Sequence, residues 1–167
     1  MQFTRFLERL NVHVGRGVAW LTLIMVFVTF IIVVMRYLFD SGWIWLQESV
    51  TWMHAAVFML AAAYTLAREE HVRVDIFYRR FTPRGRALVN AVGSLFLLIP
   101  VAVFIIFTSW DYVMLSWQIR ESSREAGGLI YPFISMLKSL IPLMSIMLLL
   151  QGVVLLVKSV AIIRSKA

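Results

Sequence analysis

Cysteine is absent from the 167-residue chain, which excludes disulfides, thiol redox chemistry and cysteine-held metal sites. Charge is scarce: Asp, Glu, Lys and Arg make up 15% of the residues, against about 25% in an ordinary soluble protein. The scarcity is uneven. Residues 17–35, 49–67, 87–110 and 139–157 contain none of the four. No glycine-rich phosphate loop and no nucleophile elbow is present. A membrane haem protein with two histidine ligands needs paired intramembrane histidines, and these runs hold one, His54. A small four-helix multidrug exporter is expected to carry a membrane-embedded carboxylate, and the first run has none. No internal repeat is evident, so an inverted-repeat transporter core is not expected within this chain. The first run is too long for a signal-peptide core and lacks a small-residue cleavage site, so it is expected to remain as an anchor.

What is present is apolar. Hydrophobic residues make up 61% of the chain and concentrate in those four runs. A run of 19 residues spans about 28 Å as a helix, close to the hydrocarbon thickness of a bilayer. The pattern predicts an all-α integral membrane protein. It is one four-helix domain over residues 1–167, with spans at about 17–37, 47–67, 87–110 and 139–160. Interface residues mark the ends of these spans: Arg36 and Tyr37, then Trp43 and Trp45 after an Asp40-Ser41-Gly42 turn, then Asp111, Tyr112 and Trp117. Thr82-Pro83 reads as a helix cap followed by proline at the first helical position. Pro100 and Pro142 are expected to bend the third and fourth helices. Phe3, Phe6, Leu7 and Leu10 recur at helical spacing. Short amphipathic segments at the headgroups are therefore expected at the ends of the bundle, and a solvated basic tail is the alternative at the N-terminus.

The net charge is +7, but the basic residues sit at the ends of the apolar runs, which points to anionic lipid headgroups and not to nucleic acid. Residues 68–86 carry Arg68, Arg73, Arg79, Arg80, Arg84 and Arg86. With the two termini they hold twelve of the 16 Lys and Arg, while the opposite side has Arg36, Arg120, Arg124 and Lys138. Positive charge is retained in the cytoplasm, so both termini and the basic loop are expected there, the N-in/C-in arrangement.

Few side chains are placed to do chemistry. His54 is either a proton-linked or ligand-binding group or a packing histidine bonded to a neighbouring helix, and its isolation favours packing. Asn90, Ser94 and Gln151 read as interhelical hydrogen-bonding groups. Arg36 and Glu48 fall near the same interface, where they either pair or reach separately to the headgroups. His71 and Asp75 stand four apart, one face of a helix. A metal site would want more ligands than these two, so a structural role is expected. Ala55, Ala56 and Ala63 in the second run are expected at close helix contacts, since small residues let helices approach in lipid. No catalytic residue, metal or cofactor is expected.

The ordered set Arg36-Tyr37, Trp45-x-x-Glu48, a small-residue helix, His71-Val-x-Val-Asp75 and Pro83 resembles the small membrane subunit of TRAP transporters, the tripartite ATP-independent periplasmic transporters. This is the DctQ-type small permease family, and the likeness runs from about Val26 to Val160. The chain departs from it in having Ala61 or Ala62 where members often have glycine, and Glu69-Glu70 before the histidine. The resemblance implies a non-catalytic subunit in the inner membrane that packs against a large permease subunit. A periplasmic binding protein would deliver an organic acid, and the substrate and sodium sites would lie in the large subunit. It also implies packing or structural roles for Arg36, Trp45, Glu48, Ala56, Ala63, His71 and Asp75. The far-side segment with Arg120, Glu121 and Arg124 is expected near the docking site of the binding protein, a plain solvated loop being the alternative. A self-sufficient four-helix carrier or channel acting as a homo-oligomer is the competing reading; a membrane enzyme is remote on this inventory.

Overall fold

A computed structural model describes residues 2–68, 78 and 80–165, and these form helices joined by short segments. The helices are α1 (Gln2–Leu38), α2 (Ile44–Ala67), α3 (Pro83–Gly93), α4 (Ile99–Gln118) and α5 (Phe133–Arg164). A π-helical turn, Ser94–Leu98, joins α3 to α4, so the two act as one span. Four helical stretches are then long and apolar enough to cross a membrane: Asn11–Leu38, Ile44–Ala67, Pro83–Gln118 and Phe133–Arg164. Four crossings return the chain to the side on which it began.

The N-terminal segment continues the first span without a break at Gly15 or Gly17. Contacts along its length explain this. Gly15 lies against the Tyr64 ring of α2, where a Cβ would overlap it. Asn11 donates through Nδ2 to Gln151 Oε1 of α5 at 3.0 Å, with both residues buried. At the far end of α1, Asp40 takes a left-handed conformation (φ 48°). The Ser41 N–H turns back onto the Met35 carbonyl at 3.0 Å.

Thr82 caps α3, its hydroxyl oxygen accepting from the Gly85 N–H at 3.2 Å, with Pro83 in the first turn. The bend expected at Pro100 takes the form of the π turn just before it. Proline has no N–H to give to the carbonyl four residues back, and its ring crowds that carbonyl, so the preceding turn widens. Gly152 of α5 lies against this turn; a Cβ there would come within 2.9 Å of Leu98.

Helix α5 is the central helix, packed by α2 on one side and by α3 and α4 on the other, with α1 resting on α2 and touching α5. The contacts are built from small side chains seven residues apart: Ala56 and Ala63 on α2, Ala102, Ser109 and Ser116 on α4, Ser145, Gly152 and Ser159 on α5, all buried. Seven-residue spacing keeps one stripe against a neighbour in left-handed helix packing. Fit of this kind holds helices together in lipid, where burying apolar surface gains little. Ser116 and Ser135 meet at 3.0 Å between α4 and α5, and Ser135 also donates to the Ser116 carbonyl.

Candidate functional site at the far side

Among the described residues, the most organised polar structure lies at the end of the bundle where the segment between α4 and α5 folds back over the start of α2. It starts at the C-terminus of α4. Arg120 adopts a left-handed conformation (φ 49°); its N–H meets the Trp117 carbonyl, and the Glu121 N–H meets the Ser116 carbonyl. Those bonds close the last turn of the helix in the Schellman pattern.

Glu48 fastens the segment to α2. Its Oε1 accepts from the Ser123 hydroxyl at 2.5 Å, and its Oε2 accepts from the Leu129 N–H at 2.6 Å. Ser123 also donates its own N–H to the Leu129 carbonyl at 2.8 Å, and the Trp45 N–H donates to the Gly127 carbonyl at 3.0 Å. Two glycines make this geometry accessible. Gly127 has φ 78°, a conformation that favours glycine, and at Gly128 a Cβ would overlap Ser123 and the Glu48 carboxylate. Glu121 forms an ion pair with Lys138 at 2.5 Å, and the Lys138 ammonium stands 4.0 Å from the centre of the Tyr112 ring. Hydrogen bonding from Lys138, and then from Ser116, holds the Glu121 carboxyl below its ordinary pKa. Aromatic side chains ring this end. Trp43 and Trp45 stack at 6.4 Å. Trp117 meets Tyr131 edge-on at 5.9 Å and donates from Nε1 to Ser139 Oγ at 2.9 Å. Beneath the segment is a half-open cavity of about 570 Å³ with almost wholly apolar walls, among them Trp45, Trp52, Met53, Leu129 and Phe133. Trp52 spends its Nε1–H on the Phe133 carbonyl at 2.8 Å, so it offers nothing polar to an occupant.

The structure therefore gathers Trp45, Glu48, Arg120, Glu121 and Arg124 at one end. Arg120 and Arg124 are exposed, whereas Glu121 is committed to Lys138. Of the two arrangements open to Arg36 and Glu48, the structure takes the unpaired one. Glu48 gives both oxygens to the far-side segment, and Arg36 is exposed with no ion pair among the described residues. Ala56 and Ala63 are each 1% exposed, on the face of α2 turned to the bundle. Gln151 bonds to Asn11 between helices, and Asn90 donates to the Tyr78 hydroxyl at 3.0 Å. Ser94 is buried without a hydrogen-bond partner among the described residues. His71 and Asp75 lie outside the described residues. His54 departs from the packing expectation: it is exposed on the outer side of α2 and makes no hydrogen bond among the described residues. The small residues packed against the bundle fix the rotation of α2, and residues about 180° away must then face outward. No group of three His, Asp or Glu side chains comes together among the described residues. Sequence reasoning missed the Glu48–Ser123–Leu129 link and the serine stripes of α4 and α5; the seven-residue spacing of small side chains was the available signal for the latter.

A family model described as "Tripartite ATP-independent periplasmic transporters, DctQ component" matches residues 25–161. Among curated proteins, the chain is similar to the "C4-dicarboxylate TRAP transporter small permease protein DctQ" of Vibrio cholerae serotype O1. It is 27% identical over 111 residues, which is 66% of this chain and 45% of that protein. The chain thus spans less than half the length of the relative it matches. No solved structure matches.

Proposed function

The chain belongs to the DctQ component family of TRAP transporters, and from that premise we propose that it is the small, non-catalytic membrane subunit of such a transporter and a scaffold for the large permease subunit. The transporter takes up an organic acid delivered by a periplasmic binding protein, with sodium driving uptake through sites in the large subunit. The chain lies in the inner membrane with both termini and the basic loop in the cytoplasm, a reading the distribution of Lys and Arg supports. The end carrying Glu48, Arg120 and Arg124 is then the periplasmic end, next to the docking site of the binding protein.

The observation that carries this reading is the character of the interior. Moving an organic anion across a bilayer needs compensating charge or aligned donors at membrane depth. Among the described residues the buried polar groups are Asn11, Gln151 and serines. Asn11 and Gln151 bond to each other, as do Ser116 and Ser135, and Ser145 bonds to its own helix. Such a core holds helices in register and offers an anion no counter-charge. Affinity purification from membranes containing the cognate large permease is the test. The permease is expected to copurify with this chain in a defined ratio after detergent extraction. Recovery of this chain as a homo-oligomer free of the permease would favour the self-sufficient carrier.

A further inference from the structure

Apart from the Tyr64 phenol, the uncharged runs contain one ionisable side chain, His54, and it faces out of the bundle. It lies ten residues into α2, about 15 Å along the axis and so near the middle of a hydrocarbon layer about 30 Å thick. Gln47, Thr51, His54 and Phe58 are all exposed and follow one another at four, three and four residues, a single helix face. Ala56 and Ala63 occupy the opposite face and are buried. The outward surfaces of two other spans are different in kind, with Phe27 and Phe30 on α1, and Phe104 and Phe107 on α4. Lipid tails accept such side chains. They do not accept an imidazole, whose N–H and lone pair find no partner in hydrocarbon. A histidine side chain is also too short to reach a headgroup from mid-membrane, as Lys or Arg can from a helix end. Of the four spans, α2 is the least apolar.

We propose that the outward face of α2 centred on His54 is the surface covered by a transmembrane helix of the large permease subunit, and that this helix presents a hydrogen-bonding side chain, a carboxylate or an amide, to the His54 imidazole. This rests on the subunit reading above, which supplies the partner; the position, the face and the chemistry of the contact come from the fold. The aromatic outer faces of α1 and α4 then remain toward lipid. A second copy of this chain is the other protein able to cover the face, and the test separates the two.

A photo-crosslinking amino acid is placed singly at Thr51, Phe58, Phe30 or Phe104, and the chain is expressed with its cognate large permease. Crosslinks to the permease are expected from positions 51 and 58 and not from 30 and 104. Crosslinks to the permease from 30 or 104 alone, or from none of the four while the permease still copurifies, would overturn the assignment of the face and leave the subunit reading standing. Crosslinks from 51 and 58 only to another copy of this chain would overturn the choice of partner. Failure of the permease to copurify with the unmodified chain would remove the subunit reading and this proposal with it. A second measurement addresses the imidazole. His54→Leu is expected to lower recovery of the complex about threefold, in line with a single interhelical hydrogen bond in a membrane, while His54→Gln keeps most of it. Full recovery with His54→Leu would rule out the hydrogen bond.

Discussion

Glu48 is the residue on which the far-side segment depends. Its two oxygens take two donors from one loop, the Ser123 hydroxyl and the Leu129 N–H, and Leu129 is buried. Glu48→Ala would leave that N–H without a partner, a cost of about 1–3 kcal/mol. Proteolysis within residues 119–132 should accelerate, with helix content unchanged; an unaltered cleavage rate would contradict the latch. Glu121 adds a pH dependence. Its folded pKa is held below the ordinary carboxyl value of 4.5, chiefly by hydrogen bonding from Lys138. The stability it contributes is therefore complete above about pH 4.5 and is lost as pH falls through the lowered folded value. Thermal stability of the purified chain should decline in that acid window, and Glu121→Gln should flatten that part of the decline; an identical acid profile would contradict it. Proximity to one interface put Arg36 and Glu48 within reach of each other, and no local pattern could decide between pairing and separation. The competing partners, Ser123 and Leu129, lie more than seventy residues away along the chain, and only the folded loop brings them back to Glu48.

Among the helices, the contact surfaces of α2, α4 and α5 share one device, small side chains at seven-residue intervals. Ala56 and Ala63 are the clearest case. Ala56→Phe or Ala63→Phe would force α2 away from its neighbours, and overpacking of this kind costs about 1–3 kcal/mol. Recovery of folded, monodisperse chain from membranes should fall for both, whereas Phe58→Ala on the outer face should leave it unchanged; equal recovery for all three would argue against the packing role. The alanines of α2 were legible because alanine is both small and apolar. The serines of α4 and α5 were less so, because a hydroxyl inside an apolar run reads first as a polar group in want of a partner. In the fold, Ser109 and Ser145 return their hydrogen bonds to their own helix backbones, so they serve as small residues. A bend was legible at Pro100, but its form was not. The π turn lies one turn earlier because a proline perturbs the backbone N-terminal to itself.

For the whole molecule, the sequence made four spans and their shared side for the two termini legible, since uncharged runs of membrane length have few other uses. It could not show which face of each helix turns outward, because nearly every residue in a span is apolar and periodicity carries little signal there. That is why His54 read as an interior residue. The central claim is that this chain supports transport without conducting it: no Asp, Glu, Lys or Arg lies in the four uncharged runs, and their one histidine faces outward. The most direct measurement is uptake of radiolabelled organic acids by liposomes under a sodium gradient. The chain reconstituted alone is expected to match empty vesicles. Adding the large permease and the binding protein should give sodium-dependent uptake. Flux through the chain alone, abolished by His54→Ala, would contradict the account.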